Sequence, residues 1–90
     1  MKANREKIER LLKTARGQID GVLKMVGEDK YCMDIANQIL ASDAVLRKAV
    51  REILFAHLAS CVTEAFESGD RTAKDEKIEE LIAILEKLSK

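Results

Sequence analysis

The chain has 90 residues, no Pro, 3% aromatic residues and equal numbers of basic and acidic side chains. This length excludes a second domain, and no apolar run approaches the ~20 residues of a membrane span, which excludes a transmembrane protein. Since Ala, Leu, Ile, Glu and Lys dominate, we expect one all-α domain over residues 1–90 that depends on oligomerisation for stability.

The distribution of charge along the chain matters more than its sum. Residues 1–24 hold seven basic and three acidic side chains, whereas residues 62–90 hold five basic and eight acidic ones. The basic segment is compatible with a nucleic-acid partner, which the net charge alone would argue against. Charged residues throughout the first ten positions make a secretory leader unexpected, so the two cysteines indicate a cytoplasmic protein with reduced thiols.

The first helix is predicted over about residues 4–26, because apolar residues recur there at three- and four-residue steps. Its apolar stripe comprises Ile8, Leu11, Leu12, Ala15, Ile19, Val22, Leu23 and Val26. Basic residues, among them Lys13 and Arg16, lie on another face of this helix. Gly17 and Gly21 lower the helix propensity, and we expect them to allow a close approach between helices, with a kink as the alternative.

Two further helices are predicted after a short turn. Gly27 is expected to end the first helix, and Asp29 is a candidate N-cap of the second. The second helix is predicted over residues 31–67, because this stretch contains no Gly or Pro. It starts near Cys32, where the helix dipole favours a thiolate. A third helix is predicted over residues 73–88, with the apolar stripe Ile78, Leu81, Ile82, Leu85 and Leu88.

The long helix carries both cysteines and the single histidine of the chain. At ~100° per residue, Cys32, His57 and Cys61 point within about 20° of one direction, which is also apolar. A rise of ~1.5 Å per residue separates Cys32 from His57 by roughly 37 Å, so one unbroken helix cannot gather all three. Two copies packed antiparallel about an axis near Val45 and Leu46 would bring Cys32 of one chain opposite the other two groups, twice per dimer.

Two thiolates and one imidazole are ligands for soft metal ions. Three such ligands suit Cu(I), whereas Zn(II) requires a fourth ligand or a water and Ni(II) generally prefers more nitrogen or oxygen donors. The alternative is that Cys32 and Cys61 are small buried hydrophobic residues and His57 is a core histidine. No arrangement of nucleophile and base, phosphate-binding loop or paired carboxylate site is evident, so we do not expect an enzyme.

Four short segments make the chain similar to a known family: Arg-Gly-Gln-Ile-Asp-Gly at 16–21, Tyr-Cys-Met-Asp-Ile at 31–35, Gln-Ile at 38–39 and His-Leu-Ala-Ser-Cys at 57–61. They resemble the copper-sensitive operon repressor family over nearly the whole chain, and the Cys, then His-x-x-x-Cys spacing is the most specific part. The resemblance implies an all-α bacterial cytoplasmic repressor, whose dimers have an antiparallel four-helix core and assemble into tetramers. It also implies that the apo tetramer binds operator DNA and that Cu(I), bound between subunits, releases it so that copper-export genes are transcribed.

The resemblance assigns roles to individual residues of the metal site. It implies that Cys32, His57 and Cys61 are the Cu(I) ligands. It places Tyr31 just outside the ligands, directly before the first one. Through the pattern Ile-Glu-Glu-Leu-Ile it also places Glu80 there, where metal binding would draw the second ring nitrogen of His57 towards this carboxylate.

For operator DNA, the resemblance points to the basic face of the first helix and to the middle of the long helix. The matched positions are Arg16, Gln18 and Arg51, while one basic position of the family falls on Leu11, with Arg10 beside it. Phosphate contacts would make the binding weaken steeply with salt. The residues expected to contact DNA are Arg10, Lys13, Arg16, Gln18, Arg47, Lys48 and Arg51.

Several alternatives to a Cu(I) sensor follow from the same residues. Within the family, a sulfur-sensing branch lacks the histidine, a nickel- or cobalt-sensing branch has His at the second Cys, and a formaldehyde-sensing branch lacks that Cys. The presence of His57 and Cys61 therefore favours Cu(I). A thiol-redox or persulfide-sensing protein would use Cys32 and Cys61 as a dithiol across the dimer, and a helical scaffold would need neither thiol. Replacing His57 distinguishes these, since a dithiol switch does not need the imidazole.

Overall fold

The structure is a computed structural model of the 90-residue chain. It describes residues 1–69 and 71–90, and of residues 65, 66, 68 and 71–73 it describes the backbone alone. Three α-helices make up most of the described chain: α1 over Arg5–Gly27, α2 over Cys32–Ser68 and α3 over Arg71–Ser89. The predicted all-α class is confirmed, and each helix end lies within two residues of its predicted position. Within the described residues, none of the helices combines the length and apolarity that crossing a membrane requires.

A hydrogen-bonded motif closes α1 and corrects the predicted roles of Gly27 and Asp29. The Asp29 N–H donates to the Val26 carbonyl at 3.1 Å, and the Lys30 N–H donates to the Met25 carbonyl at 3.0 Å. Asp29 has a φ of 53°, the left-handed conformation that this type of helix ending requires. Asp29 therefore terminates α1 instead of capping α2, while Gly27 is still a helical residue.

We expect the Asp29→Gly substitution to raise the free energy of unfolding by about 0.5–1 kcal/mol, because glycine adopts positive φ without a Cβ clash. Urea denaturation of the two proteins measures this difference. The matched control is Glu28→Gly, since Glu28 has a φ of −91° and gains no relief from glycine. A stability that falls as much in Asp29→Gly as in Glu28→Gly would contradict the expectation.

The chain folds into two compact units. The first comprises Asn4–Ala49, which is α1 and the first part of α2, and the second comprises Met1–Ala3 and Val50–Lys90. In the first unit the most buried side chains are Ile8, Ala15, Val22, Ser42 and Ala49. The three from α1 recur every seven residues, a spacing typical of a seam against a second helix. The buried Ser42 hydroxyl donates to the Gln38 carbonyl at 3.2 Å, so this polar group has a partner.

In the second unit, α3 packs against the last part of α2. Leu54 of α2 and Leu81 of α3 are each only 7% exposed and form the centre of this contact. An open apolar groove of about 150 Å³ runs beside them. The groove is lined by Leu54, Phe55, Leu58, Ile78, Leu81, Ile82 and Leu85.

Large apolar side chains remain exposed in a single chain. In the stripe predicted for α1, Ile19 and Leu23 keep 45% and 65% of their surface exposed. A Cβ added at Gly17 or Gly21 would meet no atom within 4 Å, so among the described residues these glycines do not serve the expected close helix approach. Exposed apolar surface of this extent is typical of a protein that associates with another surface.

Candidate metal centre and nucleic-acid interface

Cys32 lies at the very start of α2. The carbonyl of Tyr31 accepts hydrogen bonds from the N–H groups of Asp34 at 3.0 Å and Ile35 at 3.1 Å, so the helix begins directly after Tyr31. Cys32 is exposed and its thiol is free. It therefore lies in the first turn of the helix, as the sequence predicts, where the first N–H groups lack helical partners.

His57 and Cys61 form a pair one helical turn apart in the second unit. Both are half-buried, and residues four apart on a helix lie on the same face. The Cys61 thiol is free. Since α2 runs from Cys32 to Ser68 as one helix, the structure places Cys32 at its start and the His57–Cys61 pair in its later half.

The described residues do not form a complete metal site within one chain. No three His, Cys, Asp or Glu side chains come together there in an arrangement that could hold an ion. The donors themselves, two free thiols and an imidazole, have the chemistry of a soft-metal site.

An ion pair that sequence analysis did not identify lies beside the His57–Cys61 pair. The Lys77 Nζ of α3 donates a hydrogen bond to the Glu64 carboxylate of α2 at 2.5 Å. Glu64 follows Cys61 by three residues and so lies on nearly the same face of the helix. That spacing could have singled out Glu64, but Lys77 could not be found without knowing the register of α3 on α2.

The pKa values of Glu64 and Lys77 are affected by the charges of several predicted site residues. The hydrogen bond from Lys77 lowers the pKa of Glu64, and its charge, with those of Lys2 and His57, acts in the same direction. The hydrogen bond to Glu64 raises the pKa of Lys77, helped by the Glu64 charge and then by Cys61 and Glu80. The ion pair is thus within electrostatic reach of both predicted ligands on α2.

The two residues that the resemblance places around the ligands are both exposed. Tyr31 directly precedes α2 and is 66% exposed. Glu80 lies on α3, one turn beyond Lys77, and its charge contributes to the raised pKa of Lys77. Glu80 therefore belongs to the same unit as the His57–Cys61 pair, whereas Tyr31 belongs to the unit that contains Cys32.

The predicted DNA contacts on α1 fall on two different faces. Arg10, Lys13 and Arg16 are exposed and follow one another at three-residue steps, so each lies about 60° round the helix from the last and the three span about 120° of its surface. Gln18 lies about 160° round the helix from Arg16 but only about 80° from Arg10. Its side chain is half-buried, and its Oε1 atom is buried with no hydrogen-bond partner among the residues that the structure describes. The three arginine and lysine side chains therefore form an exposed basic strip, and Gln18 differs from them in being half-buried.

The predicted DNA contacts on α2 also differ in their surroundings. The Arg47 Nε donates to the Asp43 carboxylate at 2.9 Å, so part of its charge is already balanced within the helix. Lys48 and Arg51 are exposed. Arg51 belongs to the second unit, whereas the other predicted contacts belong to the first.

Comparison with known proteins identifies the family. A model of the metal-sensitive transcriptional repressor family matches residues 4–87. The copper-sensing transcriptional repressor CsoR of Bacillus subtilis (strain 168) is 36% identical over 91 residues, covering 99% of this chain and 87% of the relative.

Two solved structures have the same fold. The nickel-responsive transcriptional regulator InrS superposes with a TM-score of 0.85 and 26% identity, covering 92% of this chain and 93% of that one. The Cu(I)-bound copper-sensing repressor CsoR from Geobacillus thermodenitrificans NG80-2 gives a TM-score of 0.78 and 33% identity, covering 100% and 94%. The family resemblance read from the sequence is confirmed, and the chain belongs to the metal-sensitive transcriptional repressor family.

Proposed function

We propose that this protein is a cytoplasmic, Cu(I)-responsive transcriptional repressor that binds operator DNA in the apo state and releases it on Cu(I) binding. The observation that carries the proposal is the donor set on α2: free thiols at Cys32 and Cys61, and the imidazole of His57 one turn before the latter. The B. subtilis relative is named for copper sensing, and one structural neighbour was solved with Cu(I). This function implies that the protein regulates copper-resistance or copper-efflux genes.

In this proposal the metal site lies between two chains. Cys32 of one chain and His57 and Cys61 of its partner would hold Cu(I), with two thiolates and one imidazole as a set that suits this soft ion. The bound ion would supply a bridge between the two subunits. Tyr31 and Glu80 would lie just outside the ligands, with Glu80 orienting the His57 ring.

Exposed apolar residues along α2 support the antiparallel dimer. Ile39 and Leu46 follow Cys32 at seven-residue steps, on nearly the same face of the helix, yet they are 52% and 38% exposed in one chain. Covering these residues with the same helix of a second chain would bury them and bring the ligands together. We propose that dimers formed in this way, with a four-helix core, associate further into a tetramer.

The donor set of Cys32, His57 and Cys61 suits Ni(II) and sulfur species less well than it suits Cu(I). The nickel-responsive neighbour raises Ni(II) as an alternative, but this chain has one histidine, and Ni(II) generally prefers more nitrogen or oxygen donors. A thiol-redox or persulfide sensor would use Cys32 and Cys61 and leave His57 without a role. The pairing of His57 with Cys61 on one helical face therefore favours Cu(I).

The exposed basic strip of Arg10, Lys13 and Arg16 on α1 supports the operator-DNA part of the proposal. Lys48 and Arg51 on α2 would add phosphate contacts. Arg47 would attract a phosphate less strongly, because it is already paired with Asp43. Gln18 would contact DNA only if its half-buried side chain turned outward. Since metal binding weakens DNA binding in this mechanism, DNA must weaken Cu(I) binding by the same factor.

An anaerobic Cu(I) titration of the reduced protein against a strong competing chelator tests the proposal. We expect one tightly bound Cu(I) per chain and an affinity lowered by more than about tenfold in His57→Ala, because even groups that only orient metal ligands contribute tenfold or more. Thr63→Ala, an exposed change in the same part of α2, is the matched control. Weak binding, or binding that does not depend on His57, would contradict Cu(I) sensing and favour thiol redox chemistry.

A positive titration justifies the second half of the test, which concerns DNA. Genomic fragments retained by the apo protein would be selected and then challenged with Cu(I). Release of the selected fragments by Cu(I) from the wild type but not from His57→Ala is the expected result. Retention in both cases would contradict the repressor mechanism even if Cu(I) binds.

A further inference from the structure

The face of α2 that carries His57 and Cys61 continues to Glu64. Steps of four and then three residues place these side chains on successive turns of one face. Glu64 is paired with Lys77 across the two helices, thirteen residues away in the chain. The ion pair therefore ties α3 to the ligand-bearing face of α2, one turn beyond Cys61.

The ion pair also defines how α3 is aligned along α2. The groove beside it is lined by residues of both helices, Leu58 of α2 and Ile82 of α3 among them, and Glu64 and Lys77 form a hydrogen-bonded pair across the two helices that fixes a residue of α2 against a residue of α3. Starting from Glu64 opposite Lys77, three residues back along α2 and three residues forward along α3 lead to Cys61 and Glu80. This alignment sets Glu80 at the level of Cys61.

The apolar contact between α2 and α3 does not fix this alignment on its own. Leu54 and Leu81 are buried, but Phe55 is 65% exposed, and the groove between the helices is open. Apolar contact is non-directional, so small shifts of α3 along α2 would change it little. A hydrogen-bonded pair of opposite charges is directional, so it favours the one alignment in which its two groups meet.

We propose that the Glu64–Lys77 ion pair is a positioning contact that aligns α3 with the His57–Cys61 face and so transmits metal occupancy to α3. The inference rests on the proposed Cu(I) function and extends it to two residues outside the ligand set. Glu64 and Lys77 touch neither metal nor DNA in this role. With about 44% and 43% of the side chains exposed, the pair adds little to overall stability, but it favours one alignment over its neighbours.

Hydrogen exchange measured by mass spectrometry, with and without Cu(I), tests this inference without any DNA. In the apo protein, Glu64→Gln and Lys77→Gln should each speed the exchange of α3 amides while leaving α1 unchanged. In the wild type, Cu(I) should slow α3 exchange, and this slowing should fall by roughly two- to fivefold in either variant. The double variant with exchanged charges, Glu64→Lys with Lys77→Glu, should restore both properties.

Glu79→Gln is the matched control, because it removes the same charge from an exposed position of α3. If the ion pair had a purely structural role, its loss in either variant would speed α3 exchange equally in the apo and Cu(I)-bound protein and leave the effect of Cu(I) unchanged. That result would overturn the inference. Unchanged apo exchange in Glu64→Gln would overturn it as well. Chelator competition on the same samples separates this failure from that of the proposed function, in which the wild type itself binds no Cu(I).

Discussion

A mixture of Cys32→Ser and Cys61→Ser chains should regain the tight Cu(I) binding that each variant lacks on its own. Each variant alone offers sites that all miss one thiolate. In a mixed dimer, however, the Cys61→Ser chain supplies Cys32, and the Cys32→Ser chain supplies His57 and Cys61. One of the two sites is then complete, so we expect one tight Cu(I) per mixed dimer with the affinity of the wild type.

Two different affinity tags on co-expressed chains allow the mixed dimers to be purified before the anaerobic chelator titration. Mixing His57→Ala with Cys61→Ser is the matched control, since both variants damage the same half of the site and no combination completes it. Recovery in the first mixture and none in the second is the expected result. Equal failure of both mixtures would show that the ligands do not come from two chains.

The separation of the three predicted ligands along one helix could be predicted because it follows from helix geometry alone, and the meeting of the ligands between two chains stays a prediction. A stretch without Gly or Pro implies one helix, and the structure has that helix from Cys32 to Ser68. The rise per residue then separates Cys32 from His57 whatever the rest of the chain does. Helix geometry is regular, so the positions of chemically distinctive residues along one helix can be predicted from sequence more accurately than contacts between helices.

The termination of α1 could not be predicted in the same way. Gly27 is the residue that usually supplies a left-handed helix ending, whereas the structure uses Asp29 two positions later. Local preference favours Gly27, because glycine adopts positive φ at no steric cost whereas aspartate only tolerates it, so local preference indicates the wrong residue here. The structure continues α1 through Gly27 and closes it with the N–H groups of Asp29 and Lys30.

The burial of Gln18 and the pairing of Lys77 could not be predicted from the sequence either. Periodicity places Gln18 on a different face from Arg16, but it does not show that the Gln18 Oε1 atom is buried and lacks a hydrogen-bond partner within the described part of the chain. Lys77 is one of several charges on α3, and only the alignment of α3 on α2 selects it as the partner of Glu64. In both cases the missing information is the contact between two helices.

Leu46→Glu should dissociate the dimer, because Leu46 lies where the predicted two-fold axis crosses α2. Leu46 is 38% exposed in one chain and lines an apolar groove with Ile19, Leu23 and Ile39. Covering that groove with a second chain would bury two glutamates next to each other, and each unpaired buried charge costs about 3–5 kcal/mol. The dimer dissociation constant should therefore rise by at least about a thousandfold.

Sedimentation velocity over a range of protein concentrations measures this change, with circular dichroism to follow the helices. Ala44→Glu is the matched control, because residue 44 is exposed and lies roughly 200° round the helix from Leu46. We expect the control to remain associated and the Leu46→Glu protein to dissociate, with loss of helix at low concentration because a single chain buries few apolar residues. If Leu46→Glu stayed as associated as the wild type, the face between Cys32 and His57 would not be the dimer interface. The ligands would then have to meet through a different contact between chains.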